Sequence, residues 1–142
     1  MRSTDIKRII GVDVGLKKVG IAQSDTLAIL ASPVGTYSQK EAIEKIKISF
    51  DRGEVDKVVI GWPISLRGHE GESTRMVTNF ITLLENKVNG LEVITLDERF
   101  TSKLAQRSML DSGYKKKKRQ DKKLVDALAA TILLQNYLDR GY

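Results

Sequence analysis

Three carboxylates in this chain stand where they could do chemistry. Asp13 lies inside the apolar, β-branched run IIGVDVG, where a lone carboxylate is costly unless it is paired or binds a cation. Strand alternation puts Asp13 on one side with Gly11 and Gly15, and Ile10, Val12 and Val14 on the other. The two glycines leave space around the carboxylate for a metal and a phosphate. Its plainer use is to cap the turn into Leu16–Lys18. Glu98 sits in Asp97-Glu98-Arg99-Phe100-Thr101, just past a strand-like segment, and its plainer use is an ion pair with Arg99. Asp126 precedes the small residues Ala129 and Ala130 by three and four positions on an apolar helix. It could equally be a first-turn acid favoured by the helix dipole.

What these acids could do is bounded by what the chain lacks. The sequence holds no cysteine and a single histidine, His69, so thiolate chemistry, disulfides and histidine-rich metal sites are excluded. Metal chemistry would run on oxygen donors, which suit magnesium or manganese. Clustered carboxylates holding two such ions about 4 Å apart are what phosphodiester hydrolysis uses, one ion activating water and the other stabilising the leaving oxygen.

A polyanionic partner is indicated independently. The run KKKKRQDKK comprises Lys115, Lys116, Lys117, Lys118, Arg119, Gln120, Asp121, Lys122 and Lys123. Its seven basic residues and one acid equal the whole net charge of +6, so the rest of the chain is neutral. A patch this dense fits nucleic acid, with a solvated charged loop as the bland alternative. Arg67 and Arg75 flank the segment Gly68–Gly71 and are further candidates for substrate contact. His69 in that segment reads as a surface residue, and Trp62 as packing against the loop Trp62–Gly71 rather than stacking on a base.

The elements that must position these groups follow from periodicity. Arg8–Val14, Val19–Ser24 and Ile29–Tyr37 (interrupted by Pro33) read as an antiparallel meander. Ala42, Ile43, Ile46 and Phe50 recur at helical spacing and predict a helix over about 40–52. Lys57–Gly61 reads as a strand buried on both faces. A helix over about 72–88 has Met76, Val77, Phe80, Leu83 and Leu84 on one face and ends at Asn89-Gly90. Glu92–Leu96 is a fifth strand, Ser102–Leu110 a helix capped by Thr101 or Ser102, and Lys122–Leu138 a final helix with an apolar face of Leu124, Leu128, Ile132, Leu134 and Leu138. Asp126 points away from that face, on the side of Leu133 and Tyr137. The expected architecture is α/β: a mixed five-stranded sheet, with the meander extended by parallel strands and helices on both faces. This is the layout of the RNase H-like fold. In it the carboxyl ends of strands one and five open onto a common crevice. A length of 142 residues fits one such domain, 1–142. The polar start and short apolar runs predict a cytoplasmic protein with no membrane span.

Four segments, GVDVGLKKVGIAQSD, VVIGWPISLRGHEG, DERFTS and VDALAATILLQNYLD, resemble in order the motifs of the YqgF family. This family, also called RuvX, comprises small bacterial RNase H-like proteins related to the RuvC resolvase. The resemblance covers nearly the whole chain. It implies that Asp13, Glu98 and Asp126 are the catalytic and metal-binding acids, with two Mg2+ or Mn2+ ions as cofactor. It implies a nuclease maturing the 5′ end of pre-16S ribosomal RNA; apart from the resemblance, the expected state is a monomer or weak homodimer. Holliday-junction resolution is the alternative within the family, and a nucleic-acid-binding assembly factor with a vestigial site is the alternative outside enzymes. The D-x-G at Asp13–Gly15 also fits a sugar-kinase type of phosphate transfer, but the expected second lobe is missing. RuvC-type resolvases carry a further acid one turn after the last Asp, and this chain has Ala129 there. The fourth carboxylate is missing or is supplied by Asp97 or Asp121, which favours RNA processing over junction cutting.

Overall fold

The computed structural model describes residues 7–63, 71–97 and 122–140; the side chains of Glu72 and of residues 122–126 also fall outside the description. The elements run β1 (Arg8–Val14), β2 (Val19–Ser24), β3 (Ala31–Tyr37), α1 (Gln39–Asp51), β4 (Val55–Trp62), α2 (Glu72–Lys87), β5 (Glu92–Asp97) and α3 (Lys122–Asp139). The expected helix Ser102–Leu110 lies outside the described residues.

The five strands form one sheet in the order β3-β2-β1-β4-β5. β1–β2 and β2–β3 are antiparallel, while β4 runs parallel to both β1 and β5. The meander exists because β1 and β2 are β-branched runs joined by a turn that Gly15 makes possible. The Gly15 N–H donates to the Lys18 carbonyl at 2.8 Å. A Cβ on Gly15 would come within 2.7 Å of that same oxygen. The third strand starts at Ala31 rather than Ile29. Ile29 and Leu30 belong to the preceding turn, where their N–H groups donate to Asp25 Oδ1 at 2.7 and 3.1 Å. Pro33 is tolerated because β3 is an edge strand, and the β2–β3 register shifts beside it, between Ile21 and Ala22.

Two cores sandwich the sheet. On one face Val12, Val19, Ile21, Val58 and Ile60 pack with Ala42, Ile43 and Ile46 of α1 and Val77, Phe80 and Leu84 of α2. On the other, Ala22, Val59 and Leu96 pack with Ala130, Leu133, Leu134 and Tyr137 of α3. Val58, Val59 and Ile60 are each 0% exposed, as expected of a strand covered on both sides. Helix α1 starts at a capping box: the Glu41 N–H donates to Ser38 Oγ and the Ser38 N–H to Glu41 Oε1.

Two expected helix faces need correction. Leu83 is 52% exposed, because α2 meets the sheet through Val77, Phe80 and Leu84, and Leu83 falls on the flank of that stripe. In α3 the sheet-facing stripe is Ala127, Ala130, Leu133, Leu134 and Tyr137, while Leu128, Ile132 and Leu138 are only half-buried. The helix is apolar almost all round, so periodicity could not choose the face. The small residues did, by allowing the closest approach.

Candidate active site

Asp13 is the next-to-last residue of β1 and is half-buried. Gly11 and Asp13 share the α3 face, since Val12 and Val14 belong to the opposite core. On β2 the residue paired with Asp13 is Gly20. On β4 the parallel register pairs Val12 with Ile60, so the next step brings Gly61 alongside Asp13. The carboxylate is therefore flanked across both neighbouring strands by residues without side chains. Gly20 and Gly61 were missed in the sequence, although an isolated glycine inside an apolar strand is the signal for close approach.

Gly11 and Gly15 do not leave the open space expected of them. Gly15 is consumed by the β1–β2 turn. The space at Gly11 is filled by α3: a Cβ there would meet Leu134 Cβ at 2.7 Å and the Ala130 carbonyl oxygen at 3.0 Å. What Gly11 provides is the seat of the helix that carries Asp126.

The direction of α3 follows from its other contacts. Gln135 Nε2 donates to the Ile29 carbonyl at 2.9 Å, and Gln135 Oε1 accepts from the Ala31 N–H at 2.9 Å. Ala31 pairs with Ser24, whose hydroxyl accepts from the Ile9 N–H at 2.8 Å. The C-terminal half of α3 thus lies over the amino end of β1. Going back from Ala130 to Asp126 climbs about 6 Å along the helix, and going from Gly11 to Asp13 climbs about 6.6 Å along the strand. Both steps lead toward the carboxyl end of β1, which brings the helix backbone at Asp126 level with Asp13.

Glu98 lies outside the described residues, as do Arg67, His69, Asp121 and the run Lys115–Arg119; Lys122, Lys123 and Asp126 are described only as helix backbone. Among the described residues no group of three acids or histidines is gathered to hold a metal. Asp97 is described and does not join Asp13. Leu96 faces α3, so alternation places Asp97 on the α1/α2 face, with Val93. Arg75 is exposed in the first turn of α2, on the face opposite α3. Trp62 packs against the α1/α2 core; most of the loop expected to cover it, residues 64–70, lies outside the described residues. Among the described residues no helix is long and apolar enough to cross a membrane.

Comparison with known proteins agrees with this architecture. A protein of Flavobacterium psychrophilum named "Putative pre-16S rRNA nuclease" is 42% identical over 133 residues, covering 94% of this chain and 97% of its own. One of the same name from Flavobacterium johnsoniae is 43% identical over 131 residues, covering 92% and 95%. Among solved structures, Thermus thermophilus RuvC in complex with a Holliday junction substrate superposes with a TM-score of 0.59 at 15% identity, covering 95% of this chain and 96% of that one. At that identity the likeness establishes the fold, which is RNase H-like. The family model described as "RuvX: Holliday junction resolvase" matches residues 7–140, so this chain, RNase H-like in fold and more than two-fifths identical to curated relatives along almost all its length, belongs to the RuvX family.

Proposed function

We propose that this chain is a divalent-metal-dependent nuclease that hydrolyses phosphodiester bonds in 5′-end maturation of pre-16S ribosomal RNA, in the cytoplasm. The observation that carries the reading is Asp13: a half-buried carboxylate at the carboxyl end of β1, flanked by glycines and facing the helix that bears Asp126. Relatives sharing about two-fifths of the sequence carry the name of such a nuclease.

The donor set suits a hard cation. Asp13, Glu98 and Asp126 offer only carboxylate oxygens, and the neighbouring strand residues Gly20 and Gly61 bring no side chain of their own beside Asp13. These three residues would hold magnesium or manganese, which supplies an activated water and stabilises the leaving oxygen. Lys115–Arg119, Lys122 and Lys123 immediately precede Asp126 in the chain, so their role would be to bind substrate phosphates beside the acids. The test is cleavage of a pre-16S leader with magnesium or manganese present. Asp13→Asn should abolish it while leaving the fold intact, and undiminished cleavage by that variant would sink the reading.

A second reading, junction resolution, is favoured by the family description and by the junction-bound RuvC structure. It requires a dimer that cuts two strands symmetrically. Against it, the position one turn after Asp126 is the buried Ala129, and Asp97 is on the wrong face to replace an acid there. Symmetric cleavage of a four-way junction, with no cleavage of the leader, would decide for this reading.

A further inference from the structure

A second polar cleft lies at the opposite end of the sheet from Asp13. It is a cavity of about 430 Å3 lined by Arg8, Gln23, Thr26, Ser49, Arg52 and Glu54, together with Gly53 and Val55. Arg8 is the first residue of β1, five positions before Asp13, so the cleft is about 17 Å along the strand from that carboxylate. Its size is that of a small-ligand site.

The local fold fixes this cleft and leaves its side chains available. After α1 the chain turns through Gly53, which has a φ of 75°. The backbone N–H groups of Arg8, Arg52, Gly53 and Glu54 already donate to the carbonyls of Glu54, Ile48, Phe50 and Ser49. Arg8 is anchored by a hydrogen bond from Nη1 to the Ser24 carbonyl at 3.1 Å, which leaves most of its five N–H donors. Among the described residues no carboxylate lies within 4 Å of either arginine; the ion pairs found are Lys7–Asp56, Lys47–Asp51 and Lys87–Glu44. The cleft lining therefore offers two guanidiniums, an amide and two hydroxyls against one carboxylate, Glu54, with Asp25 outside the lining yet near enough to feel the Arg8 charge. That inventory is rich in donors and net cationic, which matches an acceptor-only anion with several oxygens.

We propose that this cleft is a phosphate-binding site, separate from Asp13 and independent of whether the chain is a nuclease. The phosphate can belong to a nucleic-acid backbone, as a remote anchor for substrate, or to a free mononucleotide. Titrating the full-length protein with inorganic phosphate, AMP and a short single-stranded RNA, while following the backbone amides of Thr26, Gly53 and Glu54 by NMR, tests this. Saturable shifts at these amides are expected. Arg52→Gln should weaken binding at least tenfold, Arg52→Lys should restore part of it, and Glu54→Gln should tighten it. Arg52 is exposed, so its replacement should leave the fold intact, and a dispersed spectrum of the variant will confirm this. Stronger binding of RNA than of AMP assigns the site to a nucleic-acid backbone, and the reverse assigns it to a free nucleotide. Absence of shifts with all three ligands, or shifts unaffected by Arg52→Gln, overturns the proposal.

Discussion

Gly11 of β1 and Leu134 of α3 meet so closely that a single added methyl group would sit 2.7 Å from the Leu134 Cβ. The Ala130 carbonyl, 3.0 Å from the same point, is helix backbone and cannot rotate away. Gly11→Ala must push the whole of α3 off the sheet, and should cost about 1–3 kcal/mol, the usual penalty for overpacking a filled core. Urea denaturation measures it. Because α3 also carries Asp126, cleavage should fall in the folded fraction as well, and a Gly11→Ala variant with unchanged stability would contradict this packing.

The polar bond between Gln135 and β3 is the counterpart at the other end of the helix. Gln135→Ala strips the Ala31 N–H and the Ile29 carbonyl of their partners at once. Since both lie near the surface, water replaces part of the loss, and about 1–2 kcal/mol is expected. Faster hydrogen exchange at the Ala31 amide, with the β1–β4 amides unchanged, is the local signature.

Acid should act first at two turns. The Asp25 carboxyl is held below its ordinary value chiefly by the Ile29 N–H, then by the Leu30 N–H. Glu41 is held below its own chiefly by the backbone N–H of Ser38. A lowered native value means that the stabilisation is complete above the unfolded-state value, about pH 4, and is lost as pH falls through the native one. The thermal midpoint should therefore drop below about pH 4. Asp25→Asn, which does not titrate, should show a shallower drop, and identical pH profiles would rule the turn out.

How much of this was readable from residues alone depended on the kind of information each needed. Strands β1 and β2 have the bounds their β-branched runs predict, because a strand's extent is local: Gly15 and the turn after Ser24 end them. Asp13 was legible for the same reason, since a carboxylate in an apolar alternating run is out of place wherever the strand goes. The use of Gly11 was not legible, because it depends on a helix more than a hundred residues away in sequence. Nor was the buried face of α3, whose apolar residues surround it. Glu98 carries no periodic signal at all, being in a segment between elements, and rested on the family resemblance.

The basic run offers a quantitative check on substrate binding. Each phosphate neutralised on a single strand contributes about 0.7 to the slope of log affinity against log salt. Replacing Lys115, Lys116, Lys117 and Lys118 by glutamine should flatten that slope by up to about 3 units on single-stranded RNA, if all four contact phosphates. Affinity near physiological salt should fall, while cleavage of saturating substrate should change far less if the proposed role of the lysines in binding holds. Filter binding across a salt series, run beside single-turnover cleavage, separates the two effects. A slope unchanged by the fourfold substitution would show the run to be plain solvated surface.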